Sequence, residues 1–385
     1  MKKEIYFDYS ATTPTRKEVL HEALPYFTEK FGNPSSFHKT GLVAKKVLQH
    51  SREKVAKILN CDPVEVIFTG SGTESINLAI KGIAFKETTG HFITQKTEHH
   101  AVLETMEWLE GRGFNITYLG VDSNGLINLD ELKKAIRKDT KLVSIMYANN
   151  ETGVIQPIKE IAKICKEKNV LFHVDGCQGA EYLEIDVKKL GMDMLTLNGS
   201  KIYAFKGTGL LYKKKGVAIE SLVHGGGHEN GLRAGTENVA GIVALAKALE
   251  VANKEKKVEK KRLGKLRDYF IGRIEKEIPK VHLNGDRKKR LPNNINISFE
   301  GVEGESILLR LNEKGIRVST GSACTSQTLD PSHVLLAMGI SHELAHGSIR
   351  FSLGKDTTQK KIDYVIKELK KEVTLLRKLS PVWGR

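Results

Sequence analysis

Val43, Val47, Val55 and Ile58 recur at helical spacing between Gly41 and Leu59, and the run Val66-Ile-Phe-Thr69 that follows is short, apolar and rich in β-branched side chains. The pattern predicts a helix and then a buried strand. The alternation repeats. Phe92-Ile-Thr94, Ile116-Thr-Tyr-Leu119, Leu142–Met146 and Val170–Val174 read as strands, separated by helical stretches such as Ala101–Gly111, Leu129–Arg137 and Ile158–Lys168. Strands that are apolar on both faces and take turns with helices predict an α/β fold: a mostly parallel sheet covered by helices on both sides. A long helical pattern from about Glu237 to Ile278 closes this unit. Beyond the turn-rich Asn284-Gly-Asp286 and Leu291-Pro-Asn-Asn294 the rhythm changes to a strand over Ile295–Phe299, a helix over Glu305–Asn312, strands at Ile316–Ser319 and Ser348–Leu353, and a terminal helix from Thr357 to about Leu379. This reads as a smaller α+β domain. The expected organisation is an N-terminal segment, 1–14, packing on the small domain, a large α/β domain over 15–255 and a small domain over 256–385. No solenoid repeat or low-complexity linker interrupts it.

A length of 385 residues fits two or three structural units, and 40% apolar with 28% charged residues is the balance of a globular chain, which excludes a disulfide-stapled miniprotein. No run approaches the ~20 apolar residues of a membrane span, and MKKEIYFDYSATTP has no apolar stretch of the kind a secretory signal needs. Cys61, Cys165, Cys177 and Cys324 are far apart and lack C-x-x-C spacing. They argue for a reducing cytoplasm over a disulfide framework or a zinc knuckle. The net charge of +15 favours acidic or phosphorylated partners through its long-range field. Its densest run, Lys254 to Arg262, is laced with Glu inside a helical pattern, which reads as a solvated helix face and argues against direct nucleic-acid binding.

Ligands of parallel α/β sheets lie beyond the carboxyl ends of the strands, so the residues there are the first candidates. After Val66–Thr69 comes Gly70-Ser-Gly-Thr-Glu74, a small-residue turn opening a helix over Ser75–Lys81 and suited to a phosphate. The later strand ends carry Thr97-Glu-His-His100, Asn149-Asn-Glu-Thr-Gly153, Asp175 with Gln178 three residues on, and, after a strand at Met194–Leu197, Asn198-Gly-Ser-Lys201. Each feature alone is weak, since a Gly/Ser turn is usually an N-cap and a strand-end Asp a solvated turn residue. Together a phosphate cradle, an imidazole, a carboxylate for a pyridine nitrogen and an amine are what pyridoxal 5'-phosphate needs.

Tyr6-Phe-Asp-Tyr-Ser-Ala-Thr-Thr-Pro14, Gly32-Asn-Pro-Ser-Ser36, Thr97-Glu-His99, Ala148-Asn-Asn-Glu151, His173-Val-Asp175, Gly225-Gly-Gly-His-Glu229, Arg233-Ala-Gly-Thr236 and Ser319-Thr-Gly-Ser-Ala-Cys-Thr325 run in unbroken order. As a set they resemble the NifS/IscS-type cysteine desulfurases, in the class V branch of fold-type I pyridoxal phosphate enzymes. The resemblance implies a seven-stranded-type sheet and a homodimer. It further implies that Lys201 carries the cofactor, Asp175 pairs with its ring nitrogen, Gln178 and Asn150 bond its phenolic oxygen, and His99 stacks on the ring and moves protons. Gly72, Thr73, Asn198 and Ser200 would hold the phosphate, with Thr236 reaching over from a second subunit. Arg350, with Asn33, would bind the carboxylate of L-cysteine. Cys324, in a Gly/Ser/Thr-rich segment from Thr320 to Thr328 that can move, would attack the substrate sulfur, release L-alanine and carry a persulfide to an iron–sulfur scaffold or a tRNA-thiolation enzyme.

Other readings compete. His342-Glu-Leu-Ala-His346 matches the H-E-x-x-H zinc pattern, though Gly347 follows at once and no apolar helix extends to either side. A selenocysteine lyase or a catalytically weak sulfur-transfer paralogue is the alternative within the resemblance. It draws on departures at Asn198-Gly-Ser-Lys201, Gly176, Ala204-Phe-Lys-Gly207 and Gly70-Ser-Gly-Thr73, where the family carries Ser-x-His-Lys, Ala, Gly-Pro-Lys-Gly and Ser-Gly-Ala-Thr. Cys61, Cys165 and Cys177 read as small buried hydrophobes, Cys177 lying near the cofactor; His38 and His173 read equally as structural or as supports of the site.

Overall fold

Strand and helix alternate as the hydrophobic pattern predicts, and the computed structural model describes residues 4–320, 330–380 and 383. The strands are β1 (Ile5–Tyr6), β2 (Val66–Thr69), β3 (His91–Gln95), β4 (Asn115–Leu119), β5 (Thr140–Met146), β6 (Leu171–Asp175), β7 (Met194–Asn198), β8 (Gly209–Lys213), β9 (Val281–Leu283), β10 (Asn294–Phe299), β11 (Ile316–Arg317) and β12 (Ser348–Ser352). Seven of them form one sheet in the order β2-β8-β7-β6-β5-β3-β4. The neighbours β3/β4, β3/β5, β5/β6 and β6/β7 are parallel, and β8 alone runs against both its neighbours. Its buried strands are apolar on both faces because helices cover both sides. The chain therefore has the fold-type I α/β architecture, with the carboxyl ends of β3, β5, β6 and β7 on one edge.

A second, three-stranded antiparallel sheet has the order β12-β10-β9. The helix Gln359–Leu379 buries Ile362, Val365, Ile366, Leu369 and Val373, a stripe at the i, i+3, i+4, i+7 spacing, and packs on the helix Gly304–Glu313. Between the sheets the helix Val239–Glu277 runs unbroken through residue 255 and packs on the helix Lys39–Leu59. Burying each fully enclosed Phe here contributes roughly 2–3 kcal/mol; Phe7, Phe270 and Phe351 pack as tilted rings, with centroids 5.9 and 5.0 Å apart.

The N-terminal segment reaches the second sheet. β1 pairs in parallel with β11, and Asp8 bridges to Ser352 on β12. The turn that follows, Asp8 to Thr12, is thereby pinned where the two sheets meet. Among the described residues no helix is long and apolar enough to cross a membrane.

Candidate active site

Each strand end delivers its side chain through a local device. Ser71 caps the helix Gly72–Lys86, its Oγ accepting the Glu74 N–H at 3.1 Å, while Gly70 N–H donates to Glu74 Oε2 at 2.8 Å. A helix leaves its first N–H groups unused, so those of Gly72 and Thr73 are presented to an anion. The helix starts three residues before the predicted Ser75 because of that cap. A Cβ on Gly72 would lie 2.9 Å from Cys177 Sγ and 3.2 Å from Asn198 Cβ, so the missing side chain leaves room for both neighbours. At the end of β3, His99 caps the helix His100–Glu110, with Nδ1 accepting the Ala101 N–H at 3.1 Å. That bond places the proton of the neutral ring on Nε2. Burial holds the imidazole below its usual pKa, opposed by Asp175 and reinforced by Lys201 and His100.

Asp175 closes β6, paired in register with Met146 and Thr196, and is buried; its Oδ1 accepts the Cys177 N–H at 3.0 Å. β7 ends at Asn198, whose Oδ1 accepts from Ser200 N–H at 3.2 Å and Ser200 Oγ at 3.3 Å, shaping a short 3-10 turn over Gly199–Lys201. This turn delivers Lys201. Its Nζ donates to the carbonyls of Ser10 at 3.0 Å and Ala11 at 2.5 Å, and Gln178 Nε2 donates to the same Ser10 carbonyl at 3.0 Å.

Arg350 arrives from the second sheet on β12. Its Nη2 lies 2.8 Å from Asp8 Oδ1 and its Nη1 donates to the Asn150 carbonyl at 3.1 Å. Asn294 and Asn296 on β10 strap the same loop by donating to the carbonyls of Asn150 (3.4 Å) and Glu151 (3.2 Å). Thus Lys201, Gln178 and Arg350, far apart in sequence, are joined through the turn Asp8–Ala11. The acceptors on that turn were not singled out from the sequence, although the turn lies within the quoted run Tyr6–Pro14.

These residues fit pyridoxal phosphate. The recess at Gly72, which a Cβ would fill, is floored by helix N–H groups with Ser200 and Asn198 beside it, and Asn150 Oδ1 is buried with no hydrogen-bond partner among the described residues. An N–H-lined recess suits a phosphate, a buried carboxylate suits a protonated ring nitrogen, and an amine suits an aldehyde.

Not every predicted residue joins this group. Asn33 is exposed and its Oδ1 accepts the Ser35 N–H at 2.9 Å, a local turn contact. Thr236 is exposed and lines a cavity of about 190 Å³ with Gly70, Gly209 and Arg233 of its own chain. Cys324 lies outside the described residues. His342–His346 forms a five-residue helix capped by Ser341. His38 caps the helix Lys39–Leu59, and His173 is bound on both ring nitrogens by Ser144 (2.8 Å) and Thr196 (2.9 Å) hydroxyls; burial lowers its pKa to about 4. Both histidines are structural.

Buried carboxyls surround the site. Glu98, whose Oε1 accepts the Met146 N–H at 2.6 Å, is pushed well above the usual carboxylate range by burial, and Glu151, which accepts from Ser332 Oγ at 2.5 Å, is raised by burial to about 7. Between pH ~4.5 and ~7 folded Glu151 therefore keeps a proton that the unfolded chain has lost, so its contribution to stability falls as pH rises through that window. Glu151→Gln should flatten the decline in unfolding free energy between pH 5 and 7.5 by up to about 3 kcal/mol, read from urea titrations. An unchanged slope would show that Glu151 is ionised in the fold.

Comparison with known proteins points one way. The model of the family described as Aminotransferase class-V matches residues 5–365. A cysteine desulfurase IscS of Dictyoglomus turgidum is 53% identical over 383 residues, 99% of this chain and 97% of that protein. The solved structure of a NifS-like protein superposes with a TM-score of 0.92 at 40% identity, covering 97% of this chain and all of the other. A structure described as SspA in complex with cysteine superposes with a TM-score of 0.81 at 37% identity, covering 91% of this chain and 99% of that one.

Proposed function

The chain belongs to the class-V aminotransferase family and is a cysteine desulfurase, and from that premise we propose how its own residues divide the work. Lys201 would hold the aldehyde carbon of pyridoxal phosphate, Asp175 its ring nitrogen, Gln178 and Asn150 its phenolic oxygen, and His99 one face of the ring. Gly72, Thr73, Asn198 and Ser200 would take the phosphate. The group, when bound, supplies an electron sink for the bonds at Cα of L-cysteine.

Arg350 orients the substrate carboxylate with two parallel N–H bonds. Lys201 Nζ removes and returns the Cα proton, and His99, neutral at physiological pH, exchanges protons at the substrate heteroatoms. The Cys324 thiolate attacks the substrate sulfur: the S–S bond forms, the Cβ–S bond breaks, and its electron pair stays on Cβ, which takes a proton to become the methyl of L-alanine. The persulfide then passes to an acceptor in the cytoplasm, an iron–sulfur scaffold or a tRNA-thiolation enzyme. The observation that carries this reading is the four-residue turn Asp8–Ala11, which holds the Arg350 guanidinium at its first residue and the Lys201 amine at its last two. Incubating the enzyme with pyridoxal phosphate, L-cysteine and a thiol reductant tests it; alanine and sulfide should appear in equal amounts, and sulfide without alanine refutes it.

A homodimer completes the proposal. Leu20, Leu24, Phe27, Phe31, Phe37, Leu42 and Val43 are exposed within residues 20–43, and large apolar side chains gathered in one exposed segment are the kind that a partner surface covers. A second copy would cover it and bring Thr236 of the partner subunit to the phosphate. Mixing Lys201→Ala with Thr236→Ala chains should then restore one intact site per mixed dimer. Activity that stays at the sum of the two variants after verified exchange shows instead that each chain builds its own site.

A further inference from the structure

The carboxylate clamp already holds a carboxylate. The Arg350 side chain is 4% exposed and its partner Asp8 20%. Nη2 is on Asp8, Nη1 is on the Asn150 carbonyl, and Nε is buried with no hydrogen-bond partner among the described residues. A guanidinium offers a planar carboxylate two edges, Nε with the adjacent Nη2, or the two Nη nitrogens together. Nη2 belongs to both. Nη2 carries one N–H on each edge, so a substrate gripping Arg350 by two hydrogen bonds shares with Asp8 the nitrogen that it holds and brings a second carboxylate against one buried cation.

We propose that Asp8 is a displaceable counter-ion that occupies Arg350 between turnovers, yields Nη2 to the carboxylate of L-cysteine, and returns as L-alanine leaves. This deepens the reading of Arg350 as the substrate clamp and rests on it. Two carboxylates on one buried guanidinium would leave a negative charge without its own cation, which favours moving one of them out. Asp8 is the one able to move. It is the more exposed partner, and its turn is fixed through its carbonyl, which accepts from the Tyr6 hydroxyl at 3.0 Å, Ala11 N–H at 3.1 Å and Thr12 N–H at 3.5 Å. The carboxylate is thus not needed to form the turn. The arrangement also answers a problem of this reaction: L-alanine carries the same ammonium and carboxylate as L-cysteine, so a clamp without a competitor would hold product as it holds substrate. Asp8 keeps the buried cation paired while weakening ground-state binding of both.

The test uses the cofactor-loaded enzyme and three probes: L-cysteine, L-alanine, and cysteamine, which lacks the carboxylate. Asp8→Asn should lower the KM for L-cysteine and the Ki of L-alanine by roughly three- to tenfold, the scale of one partly exposed ion-pair competitor, and leave the Ki of cysteamine unchanged. Asp8→Ser is a second neutral variant should the first fold poorly, and Asp8→Glu should return both constants toward wild type. An L-alanine Ki that is unchanged or raised in the neutral variants overturns the proposal, because Asp8 then only orients Arg350 or does nothing for it. Arg350→Gln separates the two levels: it should raise the Ki of L-alanine and erase the effect of Asp8→Asn, whereas an unchanged Ki in Arg350→Gln refutes the clamp itself.

Discussion

Lys201→Ala should reduce alanine formation from L-cysteine by at least about a thousandfold, since on the proposed assignment it removes both the attachment point of the cofactor and the group that handles the Cα proton. Nζ is held by the Ser10 and Ala11 carbonyls at the tip of a three-residue turn. That turn is tightly determined: a Cβ on Gly199 would lie 2.1 Å from Thr208 Oγ1, so Lys201 is presented at one angle. Lys201→Arg is the informative companion, because it keeps a cation for the two carbonyls and loses the nucleophilic amine. Both variants should be inactive, and borohydride reduction of wild type loaded with pyridoxal phosphate should place the mass increment on the Lys201 peptide. Wild-type protein that gives no such adduct, or an increment on another lysine, would refute the assignment and the mechanism built on it.

How much of this was legible follows from what a strand or a loop advertises. Runs such as Leu142–Met146 and Met194–Leu197 are apolar on both faces because they are covered on both sides, and they appear in the fold within a residue or two of where the pattern puts them. β8 was not read from the pattern. Only Leu210-Leu-Tyr212 is apolar between its end residues, too short a run to set a period; what makes it a strand is its place between β2 and β7, and Gly209, whose Cβ would lie 2.5 Å from the Ser71 backbone, lets its start press against the phosphate turn. The strand-end chemistry was visible because parallel topology collects it on one edge. The turn Asp8–Ala11 was not, because its role depends on contacts 190 residues away at Lys201 and 342 away at Arg350, and backbone carbonyls leave no mark in a sequence. His38 and His173 stayed ambiguous for a similar reason: only the cap on Gly41 and the two hydroxyls around the imidazole decide that they are structural.

The second large effect concerns the sulfur. The nucleophile has to be a thiolate, and the fold keeps the other three thiols protonated: burial pushes Cys61 and Cys165 up to about 12, and burial with the Asp175 carboxylate beside it pushes the half-buried Cys177 well above the usual thiol range. At pH 7.5 a thiol of pKa 12 is ionised about once in 30,000, against about one in ten for an ordinary cysteine. For Cys177, burial and the facing Asp175 carboxylate both oppose ionisation, and its sulfur fills the space above Gly72. Thiols held protonated at these three positions support the proposal of Cys324, from the motif Ser319–Thr325, as the carrier. Cys324→Ser should therefore stop sulfide release almost completely, and it should leave cofactor absorbance and L-alanine binding as in wild type. Cys177→Ala, which empties a small volume beside the phosphate turn, should retain sulfide release and change mainly the affinity for pyridoxal phosphate. Brief exposure to L-cysteine without reductant, followed by mass spectrometry, should add 32 Da to the Cys324 peptide alone, the increment of one sulfur atom added by the attack. An increment on the Cys177 peptide, with Cys324→Ser still releasing sulfide, would mean that ionisation on the enzyme is driven by the bound substrate and not by the resting fold.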